Sequence, residues 1–512
     1  MTRTLFTGGT IRRLPAAATA EWLLVEGGRV RALGIDDPPD ADRTIDLDGG
    51  WLLPAFCDAH VHLPITGLYE TWPDFRGETS ADAILNAFKE RAAAGNEMVF
   101  GGNFEEPLDR SLSRHDLDAV VGDRPSLLAR ADLHSCIVST ALLDRLDIDG
   151  LEGVDRDEDG APTGFLREKA SATAWTWFDR NLPEKDQRAA LHAAVKLAYS
   201  KGIAAVHEMF VVEWRGWPSL GVFLETVGEV ALKVLTYCAT DEVKRVKRMG
   251  FPRIGGDYFL DGAFGSHTAW LGAPYLSAPP AGTPATGIAY RTDEELLDFF
   301  MEGQHEGLQV GVHAIGDAAI EQAIGTWEKV ADKVGIDDVR NLGHRIEHFE
   351  CASDDHIARA AQLGLRASVQ PAFDRLWGGP TGLYAQRMGW DRAKDMNRFG
   401  SMLNASLMIG AGSDSTVTPM DPFLQLASLR EHHLEEEGLG KIEALRVHTM
   451  GSHALAGGSG LSGTVEPGAP ADLVWLDRDP GSVDVETLLD TQVRGTWVEG
   501  SRVWPEAEAE MS

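Results

Sequence analysis

A chain of 512 residues, 43% hydrophobic and 25% charged, is globular in composition and long enough for one large core plus a satellite domain. Acidic side chains outnumber basic ones 79 to 47, and a net charge of −32 excludes nucleic acid as the main partner and disfavours anionic membranes, since both require clustered Lys and Arg. Four cysteines without a CxxC pair make no disulfide framework, and no run approaches 18 uncharged apolar residues, so the expectation is a cytoplasmic protein with neither signal peptide nor membrane span.

The first 50 residues read as short strands broken by turns, such as Glu21-Trp-Leu-Leu-Val-Glu followed by Gly27-Gly28. The C-terminal stretch has the same texture: Ala471-Asp-Leu-Val-Trp-Leu, Gln492-Val-Arg-Gly-Thr-Trp-Val and Ser501-Arg-Val-Trp alternate apolar and polar residues. Each end alone is too small to bury a core, so residues 1–55 and 455–512 are expected to form one composite β-sandwich. Residues 56–454 alternate apolar runs with helical stretches. Candidate strands begin at Met98, Ser126, Ile203, Ala231, Leu308, Arg345, Arg366 and Leu407, and candidate helices span 294–304, 318–334 and 353–362. Such alternation implies a parallel sheet, and a (β/α)8 TIM-like barrel of about 250 residues tolerates long insertions; residues 140–190 read as one. Asp155-Arg-Asp157-Glu-Asp159-Gly160 begins like a calcium loop, but Leu166 stands where the bidentate Glu belongs, so a solvated hairpin turn is the better reading.

The polar residues of chemical interest finish apolar runs, where barrel strands end and reacting groups gather. In Leu53-Pro-Ala-Phe-Cys-Asp-Ala-His60-Val-His62, the i, i+2 spacing puts two imidazoles on one side of a strand, able to share a metal ion. Val310-Gly-Val-His313, Arg345-Ile-Glu-His348 and Met408-Ile-Gly-Ala-Gly-Ser-Asp414 end in the same manner. Singly, each reads better as a structural His or a capping Asp. The series, each member at a strand end, is much harder to dismiss in that way. Imidazole and carboxylate suit Zn²⁺, with Fe²⁺ and Mn²⁺ also accepted, and a bound divalent ion lowers the pKa of water from about 15.7 towards about 7.

These motifs, with Thr163-Gly-Phe-Leu-Arg-Glu168, Gly202-Ile-Ala-Ala-Val-His-Glu208, Asp261-Gly-Ala-Phe-Gly-Ser, Ser368-Val-Gln-Pro371 and Gly468-Ala-Pro-Ala-Asp-Leu-Val474, resemble the metal-dependent amidohydrolase superfamily over essentially the whole chain. The branch most resembled contains the N-substituted formamide deformylases. The resemblance implies a (β/α)8 barrel inserted in a β-sandwich built from both termini, and it also implies a homodimer acting on a small molecule. It places His60 and His62 on strand 1, His313 on strand 5 and Asp414 on strand 8 around a first ion. His348 on strand 6 would bind a second ion or touch the substrate oxygen. Asp414 would carry the proton from water to the leaving nitrogen. His134 matches a histidine common in the branch and is a candidate substrate contact.

Two departures stand out. The branch often carries a lysine, carbamylated to bridge two metals, where this chain has Asp257; an Asp cannot form a carbamate. One ion is therefore favoured over two, with Asp257, Glu168 or Glu208 as the substitute bridge if there are two. The arginine frequent after Gly-Ser is replaced by His267, which leaves the substrate contacts there open. The leading expectation is hydrolysis of the C–N bond of an amide or N-substituted formamide by a metal-activated water. Its alternatives are deamination of an amino-heterocycle and a non-catalytic binding protein on a degenerate barrel.

Overall fold

The computed structural model describes residues 2–16, 18–131, 135–280, 282–457, 460 and 462–506. The chain divides into two compact units, Met1–His62 with Val195–Val211 and Val230–Ser512, and Leu63–Ala194 with Val212–Glu229.

In the first unit both termini enter one six-stranded sheet, in the order Ser501–Trp504, Val493–Val498, Leu473–Leu476, Trp51–Pro54, Thr10–Arg12, Thr19–Ala20. The junction is antiparallel, with Leu473 opposite Pro54 and Val474 opposite Leu53. A four-stranded sheet from residues 3–46 accompanies it. Phe6, Ile11, Leu23, Leu52, Leu473 and Trp497 share one buried cluster, and Phe6 meets Trp497 edge to face at 5.1 Å. The strands at each end are thus incomplete without those of the other.

Eight further strands of this unit pair in parallel, three in one sheet and five in another, with helices between them. Phe56–Val61 (β1), Ile203–Val211 (β2) and Lys233–Ala239 (β3) pair in that order. Arg253–Ile254 (β4), Gln309–Ala314 (β5), Arg345–His348 (β6), Arg366–Val369 (β7) and Met408–Ala411 (β8) form the next run. Gly255 N donates to Cys238 O (2.9 Å) at the junction of β3 and β4, and Val61 bridges Ser415 in parallel, so the chain beyond β8 returns to β1. Strands β1, β2, β5 and β6 are buried along their full length, as parallel strands covered on both faces must be. A Cβ at Gly412 would lie 2.5 Å from His60 N, so only glycine lets the end of β8 press against β1. Helices Asp293–His305, Asp317–Val334 and Asp354–Leu363 follow the expected spans; Thr292 with Glu295 and Ser353 with His356 form capping boxes. Asp317 opens its helix and accepts from Gly272 N (3.0 Å), tethering a loop.

The second unit has its own five-stranded sheet, ordered Val154–Arg156, Pro162–Arg167, Ser135–Val138, Ser126–Arg130, Val99–Phe104. Its core includes Phe88, Phe100, Leu127, Ile137 and Phe178. The runs at Met98 and Ser126 therefore belong to this mixed sheet and not to the parallel series. A buried run of four or five apolar residues looks the same in either setting. The inserted segment accordingly starts at Leu63 and reaches Ala194, well beyond 140–190. The hairpin read at Asp159-Gly160 is present, its strands paired antiparallel and Gly160 N donating to Asp157 O.

Trp497→Ala is expected to cost about 3–5 kcal/mol in urea titrations. A double-mutant cycle of Phe6→Leu with Trp497→Leu should leave a coupling of about 0.5–1.5 kcal/mol. Strictly additive losses would mean the two termini do not stabilise one another through this pair.

Candidate metal centre

The i, i+2 spacing of β1 sends His60 and His62 into one space, and the ends of β5, β6 and β8 bring His313, His348 and Asp414 to it. Asp257 joins them from the turn after β4, which Gly255 makes at φ 83°. Each imidazole is oriented by what its other nitrogen touches. His60 Nδ1 lies 3.0 Å from Glu347 Oε2, and a carboxylate only accepts, so the proton sits on Nδ1 and Nε2 faces inward. His62 Nδ1 donates to the Met209 carbonyl (3.0 Å) and His348 Nδ1 to Gln370 Oε1 (2.7 Å). His313 is reversed: Nε2 faces Gly262 O at 3.5 Å, leaving Nδ1 inward. A hydrogen-bonded outer nitrogen is the usual arrangement of a metal-ligating histidine.

The four inward nitrogens converge on Asp257. Its Oδ2 is 3.5 Å from His60 Nε2 and 3.0 Å from His62 Nε2. Its Oδ1 is 3.5 Å from both His313 Nδ1 and His348 Nε2. Asp414 Oδ1 sits 3.5 Å from His60 Nε2 and 3.2 Å from His62 Nε2. His60 Nε2, His313 Nδ1, His348 Nε2 and Asp257 Oδ1 are buried without a hydrogen-bond partner, which costs folding free energy unless something sits among them. A divalent cation fits such a donor set. A second cluster, Asp374, His432 and His433, has ligand spacing too. There the ring nitrogens are hydrogen-bonded: His432 Nδ1 accepts from Leu434 N and Nε2 donates to Asn397 O, while His433 donates to Lys394 O and pairs with Asp374. That cluster is a hydrogen-bonded ion pair, complete as it stands.

The electrostatics point the same way. Burial opposes ionisation of Asp257, but His60, His313 and His348 overcome it and hold its carboxyl well below the usual range. Asp414 is likewise lowered against its burial, chiefly by His60 and His62. Burial disfavours a charged His62, yet Asp257 and Asp414 push it up to about 10. The site draws in positive charge, as protons or as a metal. His348, Phe349 and Asp414 have φ of 70°, 52° and 51°; non-glycine residues there cost about 1–3 kcal/mol each and persist where the surroundings dictate them.

The frame behind His60 was not singled out from the sequence. Arg345 grips Glu347 through Nε–Oε1 (2.6 Å) and Nη2–Oε2 (2.7 Å), and both are fully buried. Arg345 also donates to Ala59 O (2.8 Å), to His207 Nδ1 (2.9 Å) and to Tyr237 Oη (3.1 Å). Strand alternation held the signal: Arg345 and Glu347 share a face of β6.

Glu208 is buried on β2 and Glu168 opens the helix Glu168–Asn181 of the second unit. Among the described residues neither belongs to a group with converging ligand atoms. His267 Nε2 bonds Ser277 Oγ (2.9 Å) and its ring meets Tyr275 edge-on; burial lowers its pKa. His134 lies outside the described residues. No described helix is long and apolar enough to cross a membrane.

A profile of the amidohydrolase family matches residues 43–504. YtcJ of Bacillus subtilis (strain 168), an amidohydrolase by name, is 28% identical across 94% of this chain and 97% of its own length. N-substituted formamide deformylase of Arthrobacter pascens is 25% identical across 94% of each. Among solved structures, an uncharacterized metal-dependent hydrolase from Pyrococcus furiosus aligns at a TM-score of 0.78 and 25% identity, covering 94% of this chain and all of that one. This likeness, with the parallel strands, makes the fold α/β of TIM-barrel type.

Glu347→Gln strips Arg345 of its counter-charge and His60 of its carboxylate. The expected outcome is a loss of about 3–5 kcal/mol in denaturant titration and metal affinity weakened about 10- to 100-fold by elemental analysis after dialysis. A variant as stable and as metal-retentive as the parent would make the pair dispensable.

Proposed function

This chain is a metal-dependent hydrolase of the amidohydrolase family, and from that membership we propose that it cleaves the C–N bond of an amide or N-substituted formamide with water. The observation that carries the metal chemistry is Asp257, whose Oδ2 faces His60 and His62 and whose Oδ1 faces His313 and His348, while His60 and His348 also converge with Asp414. His60, His62, Asp414 and Asp257 Oδ2 would hold one ion, and His313, His348 and Asp257 Oδ1 a second. A carboxylate facing both pairs of rings supports two ions over the single ion expected from the sequence, with Asp257 in the place of the carbamylated lysine. The donors suit Zn²⁺. When bound, such ions supply Lewis acidity, polarising the scissile carbonyl and making water more acidic.

The protein's own groups do the remaining work. Asp414, held ionised among imidazoles, accepts a proton from the attacking water and returns it to the leaving nitrogen, so that a neutral amine departs. Glu347, Gln370 and the Met209 carbonyl keep three rings aimed inward. Phe259 against His313 (4.7 Å) and Phe373 parallel to His348 (6.2 Å) are apolar walls beside that pair. The full-length likeness to a formamide deformylase supports the bond class.

Zinc-saturated protein, freed of excess metal by rapid gel filtration, should carry two equivalents by elemental analysis; a single equivalent at saturation overturns the two-ion reading. Metal-replete protein should release amine and carboxylate from a panel of N-alkyl and N-aryl formamides and simple amides. Ammonia from aminopyrimidines in their place would make it a deaminase, and bound metal with no turnover on any of these would leave a binding protein. Asp414→Asn, assayed at saturating metal, is expected to lower turnover about 10²- to 10⁴-fold.

A further inference from the structure

We propose that Gln370 is a positioning residue that makes the two halves of this centre unequal, leaving the ion position of His313 and His348 the weaker and exchangeable one. The inference rests on the two-ion reading above. Three observations carry it.

The donor sets differ in size. His60, His62, Asp414 and one oxygen of Asp257 face one position, and His313, His348 and the other oxygen face the second.

The support behind the rings differs in charge. His60 Nδ1–H is backed by Glu347, a carboxylate locked by Arg345. Such a partner raises the basicity of the ligating nitrogen. His348 Nδ1–H is backed by the neutral amide oxygen of Gln370 at 2.7 Å, and bonds to neutral acceptors are roughly half as strong as those to charged ones.

An amide can also turn over. Gln370 is 1% exposed and its Nε2 is buried without a partner. Rotated about its last bond, the side chain would donate from Nε2 to His348 Nδ1, and His348 would then carry its proton on Nε2, which lies 3.5 Å from Asp257 Oδ1. The same residue therefore supports His348 in the ligating tautomer and in the ion-free one. A carboxylate cannot donate, so it would support the ligating tautomer alone. Glutamine here keeps the second position formed when its ion has left.

The test is stepwise removal of zinc from the full-length protein by a graded chelator series, with elemental analysis counting the equivalents retained. The parent should lose one equivalent well before the other. Gln370→Met, similar in shape but without a partner for Nδ1–H, should release the early equivalent at about 10- to 100-fold lower chelator, and Gln370→Glu at about 10-fold higher, with the late equivalent unmoved in both. A merely structural glutamine would shift both equivalents or neither, and that result overturns the proposal. So do two equivalents that leave the parent together. One equivalent in zinc-saturated parent defeats the two-ion reading and this inference with it. Should Gln370→Met fail to fold, Gln370→Glu decides alone.

Discussion

The buried pair of Arg345 and Glu347 is the constraint on which the rest of the molecule turns. Two full charges inside the strands are tolerated only when every valence is met, and here they nearly all are. The guanidinium reaches β1 through Ala59 O, β2 through His207 and β3 through Tyr237, whose hydroxyl donates to Gln309 on β5. Glu347 spends its remaining capacity on His60. One side chain on β6 thus sets the register of its neighbours and, through Glu347, the tautomer of a candidate ligand.

Two further carboxylates hold backbone, and Asp261 also stands behind a ring of the site, its Oδ1 3.6 Å from His313 Nε2. Asp58 accepts from Ser413 N and His60 N, clasping β1 to the end of β8, and its burial pushes its pKa up to about 6. Asp261 accepts from Ile315 N, Gly316 N and Trp270 N, fixing the chain beyond β5, and burial pushes it up to about 7. Backbone donors partly compensate both. Asp257 faces four imidazole nitrogens and Asp414 two, and their pKa values fall.

The unequal support of His60 and His348 has a functional sense. With two ions bound as proposed, it would give one firmly held ion and one adaptable position able to admit a substrate oxygen. Phe259 and Phe373 flank His313 and His348, and left-handed backbone at His348, Phe349 and Asp414 shows how strongly the surroundings impose this geometry.

What the sequence by itself determined is what lies within a single strand or strand end. The i, i+2 histidines of β1, the histidines closing β5 and β6, the Asp after β8, the capped helices and the matched texture of the two termini are all local patterns, and period-two geometry makes them readable. What the tertiary structure alone decided depends on how separate strands meet. The runs at Met98 and Ser126 joined a mixed sheet of their own because burial on both faces looks alike in any sheet. Asp257 faces both pairs of imidazoles because the turn at Gly255 carries it there. Glu347 and Gln370 became the partners of His60 and His348 because β6 and β7 bring them within hydrogen-bond reach, and which nitrogen a histidine offers is settled by the atom across from it and not by its place in the chain.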